Sequence, residues 1–160
     1  PHTGTGTITV KNDPRVLPVG KILRKSKINE LPQLINIFKG DMSIIGPRPL
    51  TSEAFSLYST STQEAIKKVR PGLSGIGSII FRDEEELMDG NNVPVDFYEN
   101  VIAPYKGQLE EWFIKNRGLS LYFLSILITA WAILFPSSNI AWKLLRNAPK
   151  PPERLSNLLK

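Results

Sequence analysis

The chain has 160 residues, a formal net charge of +5 and a sequence pI of about 9.5, the size of one domain with a lean toward anionic partners. It holds no cysteine and a single histidine, His2, which argues against a disulfide framework, a thiolate zinc site, a thiol nucleophile, a Ser-His-Asp triad and a multi-histidine metal centre. Acid–base or nucleophilic chemistry falls to carboxylates, and a metal would be held by oxygen donors, which suits magnesium.

In chain order, residues 1–20 are rich in Gly, Thr and Pro. Thr7, Ile8, Thr9 and Val10 alternate like a short strand, and Asn12-Asp13-Pro14-Arg15 reads as a turn. Ile28, Leu31, Leu34, Ile35 and Phe38 then fall at helical spacing, with Gly40 as the stop. Pro32 must lie in the first turn of that helix, which places the start near Asn29. Residues 42–50 read as a short extended piece running into a stiff turn, and residues 52–69 as one helix. Residues 70–82 read as a glycine-rich loop followed by a strand-like run over 79–81. Residues 83–92 read as an acidic helix or loop, and 95–115 as a helix broken near Pro104. Residues 119–135 carry no charge and are flanked by Lys115, Arg117, Lys143 and Arg146, with Trp112, Tyr122, Trp131 and Trp142 in and around them. Three arrangements fit such a run: a short spanning helix, a helix lying against one leaflet or packed on a domain that does so, and a buried core helix. The tail, 149–159, is polar and proline-rich with a short amphipathic end.

Several groups could carry chemistry. Arg24, Lys25 and Lys27 stand just before a helix start, where unpaired N–H groups and a partial positive charge favour a phosphate, although a short charge run is more commonly a solvated face. Asn29 is a favoured N-cap and Glu30 a favoured first-turn acid; by spacing alone a cap outweighs a metal or proton-transfer role. In Gly46-Pro47-Arg48-Pro49 the backbone is fixed on both sides of one arginine, which lowers the entropy lost when a guanidinium grips a phosphate. Arg70 precedes three glycines, though the segment matches neither a Walker loop nor a dinucleotide fingerprint.

Taken together, residues 12–50, with Asp-Pro-Arg, Leu-Arg, the Asn29-Glu30-Leu31-Pro32-Gln33-Leu34 helix start, Lys-Gly-Asp-Met-Ser and Gly-Pro-Arg-Pro, closely resemble the signature of the bacterial sugar transferases. These are the monotopic phosphoglycosyl transferases that act on polyprenyl phosphate. Residues 70–82 resemble the second conserved block of that family, and the two blocks cover about half the chain. The resemblance implies an enzyme moving a sugar-1-phosphate from a UDP-sugar to polyprenyl phosphate, typically undecaprenyl phosphate, with release of UMP. It implies a magnesium cofactor, a seat on the cytoplasmic face of the bacterial inner membrane, and an Asp-Glu pair whose aspartate forms a phosphosugar-enzyme intermediate. Position by position, Glu30 matches the glutamate of that pair, with Asn29 where the aspartate usually stands. Both are assigned to the catalytic and metal site. Arg24, Arg48, Arg70 and Arg82 are assigned to phosphate and nucleotide binding, and Asp41 to the turn after the helix. Ser78, Ile80 and Phe81 replace the Gln, Asn and Gly common in the family's second block. The family's N-terminal membrane-inserted helix has no counterpart in this chain and is expected to precede Pro1.

The expected fold is α+β and helix-dominated: a single compact catalytic domain over 1–160, a C-terminal fragment of a longer chain, with short strands and a membrane-associated helix. The catalytic helix start, the Arg48 turn and the 70–82 segment are expected to converge on one basic pocket. Two other functions compete: a catalytically impaired paralogue, motivated by Asn29, that binds UDP-sugar or lipid phosphate in a regulatory role, and a basic nucleic-acid binder. The apolar 119–135 run and the lack of interleaved aromatic and basic residues argue against the last.

Overall fold

The structure, a computed structural model, describes residues 31–82, 93–135, 138 and 140–156. The expected strand over Thr7–Val10, the turn at Asn12-Asp13-Pro14-Arg15 and the acidic segment 83–92 lie outside these residues, as do Arg24, Asn29 and Glu30.

Helix α1 (Leu31–Lys39) carries Pro32 as its second residue and ends where the period predicts. Gly40 takes φ +84°, a left-handed conformation that side chains rarely adopt. The N–H groups of Gly40 and Asp41 then return to the carbonyls of Ile37 and Asn36 at 3.0 and 2.9 Å and close the helix. Strand β1 (Ser43–Ile45) follows, and it pairs in parallel with β2 (Gly72–Ser74), Ser43 facing Gly72 and Ile45 facing Ser74. Parallel strands need a crossover, here made by α2 (Ser52–Ser56) and α3 (Thr60–Lys67).

The single helix expected over 52–69 is therefore two. Thr51 caps the first by accepting from the Ala54 N–H, and Ser59 caps the second by accepting from the Thr62 N–H. The hydroxyl caps compete with helix continuation through Leu57–Ser59, and the break lets Tyr58 turn into the core at 6% exposure. The 70–82 segment also departs from expectation. Its strand is the glycine end, β2, and the apolar run is a short helix, α4 (Ile76–Ile80). Gly72 allows a backbone approach that no other residue permits. Ile76 and Ile79 need no alternating pattern because both are buried in the core.

Next come α5 (Val95–Phe97), a π-helical turn (Tyr98–Ile102) and α6 (Ala103–Asn116). Pro104 does not end the helix. The Ala103 N–H reaches five residues back to the Tyr98 carbonyl, and this wider turn accommodates a proline that would clash with an α-helical turn before it. Helix α6 is the central element. It packs on α3 and α4, and Ile102, Tyr105, Leu109 and Phe113 are buried along it. Burying each of Ile102, Leu109 and Phe113 is worth about 1.5–3 kcal/mol. The Tyr105 hydroxyl donates to the Pro149 carbonyl at 2.7 Å and pins the tail, whose α9 (Glu153–Ser156) buries Leu155 in the same core. Burial pushes the Tyr105 phenol far above its ordinary range.

Helix α7 (Leu119–Leu134) is followed by the short α8 (Ile140–Leu144). Among the described residues, no helix is long and apolar enough to cross a membrane. Instead α7 lies on the domain. Ser125 and Ile128 are buried, and the Ser74 and Thr129 hydroxyls meet at 3.2 Å, tying it to β2. Leu119, Phe123, Leu127, Trp131 and Leu134 stay exposed at nearly fourfold spacing, and Trp131 and Phe135 stack with ring centres 4.4 Å apart. The fold is helix-dominated with short strands, as expected, and the strands form a small parallel sheet.

Candidate active site

The sheet leads straight into the stiff arginine turn. After Ile45, the Gly46 N–H donates to the Ser74 carbonyl and the Gly72 N–H donates to the Pro47 carbonyl, both at 2.9 Å. These two bonds extend the β1–β2 pairing into the turn. Pro47 and Pro49 then restrict the backbone on either side of Arg48. Arg48 lines a cleft of about 220 Å3 together with Pro47, Pro49, Leu50, Phe55, Ile66, Val69 and Pro71. On its rim the Lys67 ammonium lies 5.8 Å from the centre of the Phe55 ring. An apolar cleft lined by an arginine on a restricted backbone, with an ammonium against one of its wall rings, suits an anion that carries an apolar group.

Of the four arginines assigned to phosphate, the three that lie among the described residues are not placed alike. Arg48 and Arg70 share a neighbourhood: the Arg70 carbonyl lies 2.9 Å from the position a Gly46 side chain would take, and Val69 and Pro71 on either side of Arg70 line the Arg48 cleft. The exposed Arg70 side chain turns toward Gly40, whose Cβ position is 3.8 Å from Nη1. It therefore stands at the C-terminal end of α1, where a cation complements the helix dipole. A nine-residue helix is roughly 13 Å long at 1.5 Å per residue. Arg70 thus sits about that distance from the end of α1 that Asn29 and Glu30 precede. Arg82 closes the second block at another helix end: its Nη1 donates to the Ala132 carbonyl in the last turn of α7 at 2.7 Å. Asp41 is exposed, and its backbone N–H closes α1. Arg24, Asn29 and Glu30 lie outside the described residues, and among those described no group of three His, Asp or Glu side chains could hold a metal.

A residue that the sequence reading missed lies behind the turn. Glu110 on α6 is buried at 4% exposure. Its Oε1 accepts the Gly77 N–H at 3.1 Å and, among the described residues, its Oε2 has no hydrogen-bond partner. Burial pushes this carboxyl up to about 7, against the opposing effects of the Gly77 hydrogen bond and the Lys106 charge. The available signal was positional: Ala103, Gly107 and Glu110 fall at i, i+4 and i+7, so an acid interrupts a buried helix face of small residues. The adjacent Glu111 is ordinary by comparison. Its carboxyl meets Lys115 at 2.6 Å and accepts from the Thr62 hydroxyl at 2.8 Å, and these partners hold it below the usual carboxylate range.

Glu110 makes stability depend on pH. Its carboxyl is protonated in both folded and unfolded chains below the ordinary value of 4.5. Between 4.5 and about 7 only the folded chain keeps the proton, so stability is full at the acid end and falls as pH rises through this window, then levels. The loss is about 3 kcal/mol. In Glu110→Gln this fall disappears, so the variant's melting temperature minus that of the parent should rise from pH 4.5 to pH 7.5. A difference that stays constant with pH would show that Glu110 ionises normally.

Comparison with known proteins identifies the group to which this architecture belongs. The family model described as bacterial sugar transferase matches residues 2–136, and the chain belongs to that family. Among its relatives is the undecaprenyl-phosphate galactose phosphotransferase of Salmonella typhimurium, 34% identical over 110 residues, which are 69% of this chain and 20% of that protein. The exopolysaccharide production protein ExoY of Rhizobium meliloti is 44% identical over 78 residues, 49% of this chain and 34% of the relative. The UDP-glucose:undecaprenyl-phosphate glucose-1-phosphate transferase of Caulobacter vibrioides is 45% identical over 71 residues, 43% of this chain and 27% of the relative. The chain thus spans about a fifth to a third of these relatives.

Proposed function

We propose that this chain is the catalytic part of an enzyme that transfers a sugar-1-phosphate from a UDP-sugar to polyprenyl phosphate. A lipid phosphate oxygen bonds to the phosphorus that carries the sugar, the bond from that phosphorus to the bridging oxygen breaks, and UMP leaves with that oxygen. The products are polyprenyl-diphosphate sugar and UMP, the first lipid-linked unit of a polysaccharide or glycoconjugate. The observation that carries this reading is the Arg48 turn, set between two prolines in the lining of an apolar cleft, in a chain whose match to the family covers residues 2–136. A guanidinium fixed in this way stabilises charge that develops on a transferring phosphoryl group.

Other residues fit the same reading. Glu30 and the Asn29 side-chain oxygen are hard donors suited to magnesium, which neutralises diphosphate charge when bound. Arg24 adds charge before the helix start, where an anion is favoured. The exposed apolar side of α7, with Phe38 on α1 at 97% exposure, supports contact with a lipid surface. That surface is the cytoplasmic face of the bacterial inner membrane, where a nucleotide sugar meets a lipid phosphate.

The deciding experiment is UMP release by the full-length protein across a panel of UDP-sugars, with polyprenyl phosphate and magnesium. UMP should appear with at least one sugar only when the lipid phosphate is present, and Glu30→Gln should lower the rate by about 10²- to 10⁴-fold, the usual contribution of a positioned acid or base. Binding of a UDP-sugar without UMP release under any condition would replace the enzyme with a regulatory binder.

A further inference from the structure

We infer that Glu110 is a positioning residue for Arg48: its buried carboxyl fills the space behind Gly75 and Gly77 and so sets where the Gly46–Pro47 backbone, and the arginine after it, stand. The inference rests on Arg48 acting as a phosphate ligand in the proposed transfer.

Three features meet at one place. The Gly77 N–H in the first turn of α4 has a side-chain acceptor from another helix, Oε1 of Glu110. Gly75 and Gly77 are bare where that carboxyl sits. A Cβ at Gly77 would lie 2.7 Å from Oε1, and a Cβ at Gly75 would lie 2.9 and 3.3 Å from the two carboxyl oxygens. The same Gly75 position lies 2.5 Å from the Gly46 carbonyl oxygen. Carboxyl, Gly75 and Gly46 are therefore neighbours with no side chain between them. From Gly46 the path to Arg48 is short and rigid, through Pro47 and the two 2.9 Å bonds to Ser74 and Gly72.

A leucine would fill this volume without burying polar atoms, and an acid whose Oε2 has no partner among the described residues is an expensive choice for packing alone. The carboxyl does what an aliphatic group cannot: it takes an orphan helix N–H and keeps two glycine backbones at a fixed separation. Without it, the Gly77 N–H loses its acceptor and a gap opens behind Gly75. The Arg48 turn then relaxes toward that gap. A displacement of about 1 Å in a charge-stabilising group is enough to cost on the order of 10²-fold in rate.

The test is a double-mutant cycle on the full-length protein with magnesium, using UDP as the probe. Glu110→Ala should weaken UDP binding about tenfold in an otherwise native background and should have no further effect when combined with Arg48→Ala, because coupled residues are not additive. Glu110→Gln, whose carboxamide oxygen can take the Gly77 N–H in the same volume, should restore binding to within about twofold of the parent. Should the alanine variant not fold, Glu110→Asp withdraws the carboxyl by one methylene and enters the same cycle. Additive losses from Glu110→Ala and Arg48→Ala would overturn the inference. A second readout needs no ligand: in protein labelled with 15N-arginine, the Arg48 Nε–H resonance should move in the Ala or Asp variant and return in Gln. An unmoved Arg48 signal overturns the inference whether or not UDP binds. A shifted signal in a protein that binds no UDP upholds it and counts against the reading of the site alone.

Discussion

Replacing Asn29 with aspartate is expected to raise sugar-phosphate transfer by at least ~10²-fold, the low end of what a positioned catalytic group contributes. An amide nitrogen or oxygen is a poor nucleophile toward phosphorus, and being uncharged it would hold a cation less well than a carboxylate. A carboxylate at the same place can attack the phosphorus that carries the sugar, displace UMP and hold the sugar phosphate until the lipid phosphate takes it. The sequence places position 29 at an expected helix cap, so little structural penalty is expected. Aspartate caps a helix start as well as asparagine does, and its charge complements the positive end of the helix. The change in rate therefore reads chemistry rather than folding. In the variant, but not the parent, incubation with a UDP-sugar alone should leave a phosphosugar adduct on the protein, visible by intact-mass measurement. Equal rates and no adduct in either protein would mean that transfer is direct at this site and that Glu30 needs no partner. An adduct on the parent would instead mark Glu30 as the nucleophile.

Much of the Arg48 mounting was legible in the sequence because its parts are local. A helical period ending at Gly40, and two prolines around one arginine, each act within a few residues, and the structure shows the helix end and the turn accordingly. What escaped were two features decided by distant partners and one local competition between a cap and a longer helix. The apolar run over 79–81 carries strand-like residues, yet Ile76–Ile80 is helical because it is packed by α6 and α7 rather than by a neighbouring strand. The break at Ser59 depended on a hydroxyl choosing the Thr62 N–H over continued helix. Glu110 looked like one more charge beside Glu111 and Lys115. Its role follows from Gly75 and Gly77, over thirty residues earlier.

Hydropathy alone also left the 119–135 run open. Length settles it in part: the sixteen residues of α7 make a helix of roughly 24 Å, against a hydrocarbon core of about 30 Å. Contacts exclude the fully buried arrangement. One side of α7 buries Ser125 and Ile128 against the domain, and the other presents Phe123, Leu127 and Trp131 to the exterior. Flanking Lys115 and Arg117 had the same appearance in either arrangement.

The largest effect on stability is expected at Gly72. Its backbone crosses that of Gly46 so closely that an added Cβ would fall inside the shells of the Gly46 N, O and Cα atoms, the last at 2.6 Å. These are backbone atoms held by the Ser74 and Pro47 bonds, so no rotamer change can clear the space. Gly72→Ala must part β1 from β2 or break both bonds that seat the Arg48 turn. Overpacking of a tight interior typically destabilises by about 1–3 kcal/mol, and a clash with fixed backbone lies at or beyond the upper end. Gly118→Ala is the matching control, since no described residue lies within 4 Å of its Cβ position and its φ of −163° is ordinary extended backbone. Measured by denaturant unfolding, Gly72→Ala should lose about 3 kcal/mol or more, and Gly118→Ala should stay within about 0.5 kcal/mol of the parent. Equal stability for the two variants would mean that the Gly46–Gly72 crossing is loose. A loose crossing could not fix Arg48, so that outcome would also remove the physical basis for a preorganised phosphate grip at this turn.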